Sequence, residues 1–423
     1  MNVLVVGGGG REHAIIKSLK KNMGIKQIYA APGNGGIKCD AQCIPVKASD
    51  ILSVVDFACG NSIDYVVVAP DEPLALGMVD ALEEKGIRCF GPGKAAAKIE
   101  SSKVFAKNLM KKYNIPTAEF ETFSDSNIAC NYVKSGSVKF PLVIKADGLA
   151  LGKGVVIADS CEVALETIIS MMMQKKFGDS GSKIVIEEYL TGPEVSVLAF
   201  TDGQTIIPMI SSMDHKRIFD GNKGPNTGGM GVIAPNPYYK DTIAADCQKK
   251  IYLPTINAMQ NEGCPFKGCL YFGLILTKNG PMVIEYNSRF GDPETQTILP
   301  LLETDLFEIM NAVTDNKLSG FNIKWKNEHC ACVVLASHGY PASYKNGFEI
   351  TGLNADGAVE NNDIHVYHAG TEYKDGTFLT AGGRVLGITA IGKTLDNALE
   401  KAYKTAENIT FEGVYYRKDI GKY

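Results

Sequence analysis

The sequence is short of the features that mark an exported, membrane-bound or nucleic-acid-binding protein. Its start, Met1 to Val6, has no basic stretch ahead of a long apolar core, and nowhere does an apolar run approach the ~18 residues of a membrane span. With a net charge of −4 and a pI near 6.0, it has no excess of cations from which a basic stripe for nucleic acid could be built. The 11 cysteines are an odd number with no CxxC pair, which argues against a zinc ribbon or a disulfide framework. Most lie in or near apolar segments and read as reduced core thiols. A cytoplasmic protein, without membrane or nucleic-acid partners, is the expectation.

At 423 residues the chain is too long for one core, and 45% hydrophobic with 21% charged residues is an ordinary globular balance. About three domains of common size are expected. The most informative stretch is 281–296. The apolar run Met282-Val283-Ile284 has strand propensity, and the two-residue period of a strand then puts Glu285 and Asn287 on one face, roughly 7 Å apart. Gly291-Asp292-Pro293 follows Arg289 and forces a turn that returns Asp292 and Glu294 toward the strand end. A carboxylate and an amide are hard oxygen ligands of the kind Mg²⁺ takes when phosphates fill its other positions, and an arginine beside them can grip phosphate or carboxylate. A polar strand exit on the surface would carry similar residues.

At the N-terminus, Val3 to Val6 reads as a buried strand, Gly7-Gly8-Gly9-Gly10 as a turn and Arg11 to Ala14 as the first turn of a helix, a geometry suited to an anion. Glu12 stands where a dinucleotide fold needs a third glycine, and the strand 27–30 ends in Ala31-Pro32-Gly33-Asn34 without a ribose-binding acid. A phosphorylated small molecule is therefore expected in place of NAD. Strands at 64–69 and 87–90, with a helical stretch at 73–85, complete an open parallel sheet through about Pro92.

A second unit opens at Ser101-Ser102-Lys103, with a helix at 104–113. A strand then delivers Lys145, a glycine-rich loop follows with Gly148, Gly152, Lys153 and Gly154, and a second strand returns, so the loop can fold over phosphates. Gly154 stands where a P-loop needs Ser or Thr, which disfavours that NTPase class. Further on, 184–190 is an apolar strand carrying Glu187, Glu188, Tyr189 and Leu190, with Glu194 close behind, a suitable edge for hydrogen bonds to an adenine amine. The segment 211–234 places Asp214, His215, Lys216 and Arg217 together before a glycine-rich run, which on composition alone reads as a solvated loop. From about Trp325, strands at 330–336, 364–369 and 382–390 and an amphipathic helix at 395–408 form a separate α/β unit. His13 and His368 read as structural hydrogen-bonding residues.

The order of glycine-rich loop, Glu-Glu-Tyr-Leu edge and Glu-x-Asn strand resembles the ATP-grasp superfamily. The runs GGGGREHAI (7–15), APGN (31–34), IPTAEF (115–120), VIKADGLALGKGVV (143–156), IVIEEYLTGPE (184–194), MDHKR (213–217), GPNTGGMG (224–231), IEYNSRFGDPETQ (284–296), YHAG (367–370), GGRVL (382–386) and RKDIG (417–421) resemble the glycinamide ribonucleotide synthetase (phosphoribosylamine-glycine ligase) family. That resemblance implies an N-terminal open parallel sheet over 1–100. It implies an ATP-grasp core over 101–120 and 191–324 with a lid over 121–190, and a C-terminal α/β cap over 325–423. It implies ligation of glycine to 5-phosphoribosylamine at the expense of ATP through a glycyl phosphate, with Mg²⁺ or Mn²⁺, in a monomer.

By the same resemblance, Lys103, Lys145, Gly148, Gly152, Lys153 and Gly154 address the nucleotide phosphates, Glu187 to Leu190 the adenine and Glu194 the ribose. Glu285 and Asn287 hold the metal; the preceding strand, 270–276, has no acid to join them. Arg289 and Asp214 take part in the chemistry, and Gly8, Gly9, Gly10, Arg11, Asn34, Asp214, Lys216, Arg289, Gly291 and Asp292 contact the other substrates. Two further readings are another ligase of the superfamily, for which no biotin or bicarbonate site is found, and a non-catalytic nucleotide-binding regulator.

Overall fold

The computed structural model describes residues 1–150, 154–361 and 363–422. Asn2–Gly7 lies at the centre of a five-stranded sheet, between Gln27–Pro32 and Tyr65–Val68, and all pairings in this sheet are parallel. The reason is in the alternation of its side chains. Val3 and Val5 enter one core with Ile15, Ile16 and Phe307, while Leu4 and Val6 enter another with Val54, Leu74 and Val79, so the strand is apolar on both faces. The single helix expected over 73–85 is two, Asp71–Leu76 and Met78–Glu83, because Gly77 at φ +99° breaks it.

One face of this sheet is covered from far away in sequence by Leu306–Thr314, to which Tyr65 is tied by its hydroxyl donating to Met310 O at 3.0 Å. The middle of the chain supplies two four-stranded sheets. Ile206–Pro208, Glu194–Asp202, Lys267–Thr277 and Gly280–Asn287 make one, and Phe120–Phe123, Ile184–Glu188, Leu142–Ala146 and Val155–Ala158 the other, backed by the helices Ser126–Lys134 and Cys161–Ile168. Ile184–Glu188 is internal to its sheet, paired on both sides, so the expected open edge begins only beyond it, at Tyr189 and Leu190.

The C-terminal unit is a five-stranded sheet whose order is Met213–Asp214, Gly231–Ala234, His329–Ala336, Arg384–Gly392 and Ile364–His368, with Leu395–Ala406 packed on it. The first two strands come from the stretch that composition alone presents as a loop: Val232 and Ile233 are fully buried against Cys332 and Ala331. All 11 cysteines are free; Cys39 and Cys59 are exposed, which corrects the expectation of core thiols for those two. Among the described residues no helix is long and apolar enough to cross a membrane.

Candidate active site

Glu285 and Asn287 end the strand Gly280–Asn287, where a register shift opposite Gly273 and Leu274 re-aims its last turn of pleat. Lys145 reaches across from the second sheet and donates to Ile284 O at 3.0 Å. Its ammonium also pairs with Glu187, which Lys107 holds from the other side. Glu187 is buried, and although burial pushes its carboxyl up, the two lysines outweigh this and hold it below the ordinary range. The expected role of Glu187 toward an adenine therefore needs correcting: its side chain is spent on two lysines. Glu188 accepts from Glu119 N at 3.0 Å.

Lys103 opens the helix Lys103–Lys112 and donates to Gly148 O at 3.3 Å. Burial lowers its pKa, and the charge of Glu285 is the largest opposing influence, so Lys103, Lys145 and Glu285 share one region. Lys216 joins them from the 211–234 segment, 3.3 Å from Glu194 Oε2 and 3.6 Å from Glu285 Oε1. Burial would raise Glu285, but Lys216, Lys145, Lys103 and Arg289 together hold its carboxyl below its usual value. Two oxygen ligands ringed by four cations make a poor seat for a bare divalent ion. They fit one that arrives with a polyphosphate, whose charges the cations neutralise and whose oxygens fill the remaining positions. Among the described residues no group of three or more His, Cys, Asp or Glu side chains offers an alternative.

Arg289 donates to Asn287 Oδ1 at 3.1 Å and pairs with Glu100 at 3.0 Å. Glu100, on the helix Lys94–Ser101, also accepts from the backbone N and hydroxyl of Ser288 at 2.7 and 2.8 Å. Next to them Phe290 is buried between Phe90 and Phe200, at ring distances of 5.9 and 6.0 Å, which fastens this turn to both neighbouring sheets. Glu294 comes back under the strand as expected and accepts from Tyr271 Oη at 3.1 Å and Ser196 Oγ at 3.3 Å.

Asp214 Oδ1 is buried without a hydrogen-bond partner among the described residues. Burial, then the charge of Glu294, pushes this carboxyl well above its ordinary range, against Lys216 and Arg384. Gly229 closes over it at φ +112°: a Cβ there would lie 2.6 Å from Asp214 Oδ1 and 2.4 Å from Pro293 Cδ, so only glycine lets this turn meet the Asp-Pro turn. Asp292 accepts from Gln296 Nε2 at 2.9 Å and lies 3.3 Å from Arg384.

The N-terminal loop departs from expectation at two side chains. The Arg11 guanidinium, expected to meet a phosphate, turns inward to Glu12 and to Phe290 O at 3.0 Å, while its backbone N faces Asp292. Asn34 spends its amide on Gly8 O (2.9 Å), His368 O (2.7 Å) and Ile37 N (2.9 Å), so its side chain is a fastener between the two ends of the chain. Gly8 must be glycine for a related reason: a Cβ would lie 2.3 Å from Gly33 O. His13 accepts from His368 N at 2.8 Å and both rings are buried, in keeping with structural roles. Gly152 and Lys153 lie outside the described residues.

Sequence reasoning passed over Glu100, Lys107, Ser196, Tyr271 and Arg384 as site residues. Lys107 could have been found one helical turn from Lys103. Arg384 lies in the run 382–386, and nothing local shows that it crosses from the C-terminal sheet to Gly228 O and Asp292 O, at 2.6 and 2.8 Å.

Comparison with known proteins gives three family models in sequence: the N domain of phosphoribosylglycinamide synthetase matches 1–100, its ATP-grasp (A) domain 101–295 and its C domain 330–423. The phosphoribosylamine–glycine ligase of Clostridium acetobutylicum is 48% identical over 422 residues, covering 100% of both chains. The chicken trifunctional purine biosynthetic protein adenosine-3 is 46% identical over 99% of this chain, which spans 42% of it. The crystal structure of the Thermotoga maritima phosphoribosylamine–glycine ligase superposes with a TM-score of 0.84 at 34% identity, over 99% of this chain and 100% of that one. Biotin carboxylase domains share the fold, for example that of the Hydrogenobacter thermophilus 2-oxoglutarate carboxylase, with a TM-score of 0.75 at 17% identity over 98% and 91% of the two chains.

Proposed function

The chain belongs to the phosphoribosylglycinamide synthetase family, and from that premise we propose how its cleft divides the chemistry. It is a phosphoribosylamine–glycine ligase, an ATP-dependent enzyme of purine biosynthesis. A carboxylate resists attack by an amine because its oxide is too poor a leaving group. Transfer of the γ-phosphoryl group to the glycine carboxylate makes an acyl phosphate, and the amine of phosphoribosylamine then displaces phosphate. The protein's part is positioning and charge neutralisation.

The observation that carries this reading is the convergence of Lys103, Lys145, Lys216 and Arg289 on the Glu285–Asn287 pair, between two sheets. Lys103, Lys145, Gly148 and Gly154 take the phosphates, and Gly152 and Lys153 are assigned to them from the sequence alone. The backbone at 187–190 takes the adenine and Glu194 the ribose. Lys145 is fixed beforehand by Glu187 and Ile284 O, so little reorganisation is needed when a phosphate arrives. Glu285 and Asn287 would hold Mg²⁺, or Mn²⁺ in its place, which would supply charge neutralisation to the phosphates. Arg289 spans the reacting carboxyl and phosphoryl groups. Asp214, buried without a donor, receives the incoming amine, with Glu294 behind it. The backbone of Gly8 to Gly10, together with Lys216, Gly291 and Asp292, completes the substrate wall.

We assign 1–100 to the phosphoribosyl-binding domain, 101–120 and 191–324 to the ATP-grasp core, 121–190 to its lid and 325–423 to the cap, in a cytoplasmic monomer without nucleic-acid or membrane partners. The test is phosphate release with phosphoribosylamine generated in situ, omitting glycine, amine and ATP in turn. Release that needs all three supports the reading; release indifferent to the amine or to glycine overturns it.

A further inference from the structure

Beyond the C-terminal end of the helix Gly10–Leu19, at the end opposite the glycine turn, lies a cavity of about 370 Å³, large enough for a small phosphorylated ligand. Four lysines from four places line it: Lys21 just past the helix Gly10–Leu19, Lys326 ahead of the strand His329–Ala336, Lys393 at the end of the strand Arg384–Gly392, and Lys401 on the helix Leu395–Ala406. Lys401 is satisfied by Asp363 at 2.7 Å. Among the described residues Lys21, Lys326 and Lys393 have no carboxylate within 4.0 Å, and Glu328 is the other acid on the wall. Lys21 and Lys393 lie exposed at the cavity mouth and Lys326 is half-buried; partial desolvation and then the charge of Lys326 hold Lys21 below the ordinary lysine range, against the pull of Asp305. Bringing unneutralised ammonium groups together costs energy that an anion between them would return.

A sequence pattern points to the same place. Gly387 to Thr394 reads GITAIGKT, which has the spacing of a phosphate-binding P-loop. Gly387–Gly392 is held in the strand ladder opposite 329–334 and cannot wrap a phosphate as such a loop does. What remains is Gly392-Lys393 leading into the helix Leu395–Ala406, which lends Asn397 and Lys401 to the cavity wall.

We propose that this cavity is a second anion site, separate from the ATP cleft, that takes a ligand carrying two or more linked phosphate groups. It would be gripped by Lys21, Lys326 and Lys393 at the start of the C-terminal helix. None of these three lysines belongs to the catalytic machinery, so the ligase reaction without such a ligand does not depend on them.

Inorganic pyrophosphate, without added metal, is the probe, and His365 on the cavity wall is the reporter. Its imidazole proton resonance, assigned by His365→Gln, should move on titration and should still move when ADP fills the cleft. Lys326→Gln and Lys393→Gln should each weaken this response at least tenfold, with unchanged melting temperature and unchanged turnover in the absence of pyrophosphate. The exposed Lys249→Gln, which alters net charge equally, should leave it alone. A His365 signal that does not move, a response abolished by ADP, or equal weakening by Lys249→Gln would each overturn the proposal.

Discussion

Arg289 Nη2 stands 3.0 Å from Glu100 Oε1 and 3.1 Å from Asn287 Oδ1, so one guanidinium links a helix at the end of the N-terminal domain to the amide proposed to hold the metal. Its carboxylate partner lies on a distant helix and not at Asp292 or Glu294 within its own turn. With Nη2 held by these two oxygens and Nη1 donating to Phe290 O at 3.3 Å, the fork is set in orientation before substrate arrives. Arg289→Lys should lower kcat by on the order of 10² while ATP affinity stays within a few-fold. Glu100→Gln keeps the shape but loosens the fork, so kcat should fall by about tenfold with little change in the KM for ATP. Near-normal turnover with a lowered melting temperature in both variants would make the pair a scaffold only.

Glu285→Gln and Asn287→Ala should each raise the concentration of divalent metal needed for half-maximal activity, and chelation should abolish phosphate release. Lys216, 3.6 Å from Glu285, gives a further handle: Lys216→Met should tighten metal binding in the absence of nucleotide, since it removes a competing cation. Unchanged metal titrations in the Glu285 and Asn287 variants would remove both as ligands.

The backbone at Tyr189 and Leu190 should select adenine over guanine, whose carbonyl accepts where an adenine amine donates. A kcat/KM for ATP at least tenfold above that for GTP is expected. Equal values for the two nucleotides would sink this placement.

Lys107 and Glu187 are 3% and 5% exposed and touch each other directly. Removing the lysine leaves a buried carboxylate with Lys145 as its remaining partner, so Lys107→Met should cost on the order of 3 kcal/mol in denaturant unfolding. A loss below about 1 kcal/mol would mean that Lys145 alone suffices.

Burial lowers the pKa of His215 to about 4, and that of His368 to about 3, from 6.5. Each stays neutral when folded but takes a proton when unfolded, so stability is complete above pH 6.5 and falls as pH drops toward the folded values. Asp214 and Glu100, raised by burial, titrate in the opposing sense, so the check is a comparison of variants. The melting temperature should fall from pH 7 to 5, and His215→Gln should flatten that slope. An unaltered slope would remove His215 as a contributor.

The parallel sheet was legible because Val3 to Val6 are apolar without alternation, and Glu285 with Asn287 because period two survives the bulge just ahead of them. The lysines at 103 and 145 were found through the loop and strand that carry them. What stayed hidden depends on partners remote in sequence. Nothing near Arg11 says that Phe290 O will claim its guanidinium, and nothing near Asn34 names His368 O. Residues 211–234 looked like a loop because glycine and charge dominate their composition. The two short stretches that join the C-terminal sheet, Met213–Asp214 and Gly231–Ala234, pair with each other and, through the second alone, with residues about a hundred positions on.

That pairing carries a consequence for how the chain is made. Gly231 meets Val333 and Ala234 meets Cys330, so a wall of the catalytic cleft is stitched to a strand that leaves the ribosome about a hundred residues later. At 5–20 residues per second, the outer edge of Gly231–Ala234 waits on the order of 5–20 s for the strand that covers it. The glycines and charges at 214–231 then serve a second purpose, keeping an orphaned pair of strands soluble and uncommitted until its neighbour is synthesised.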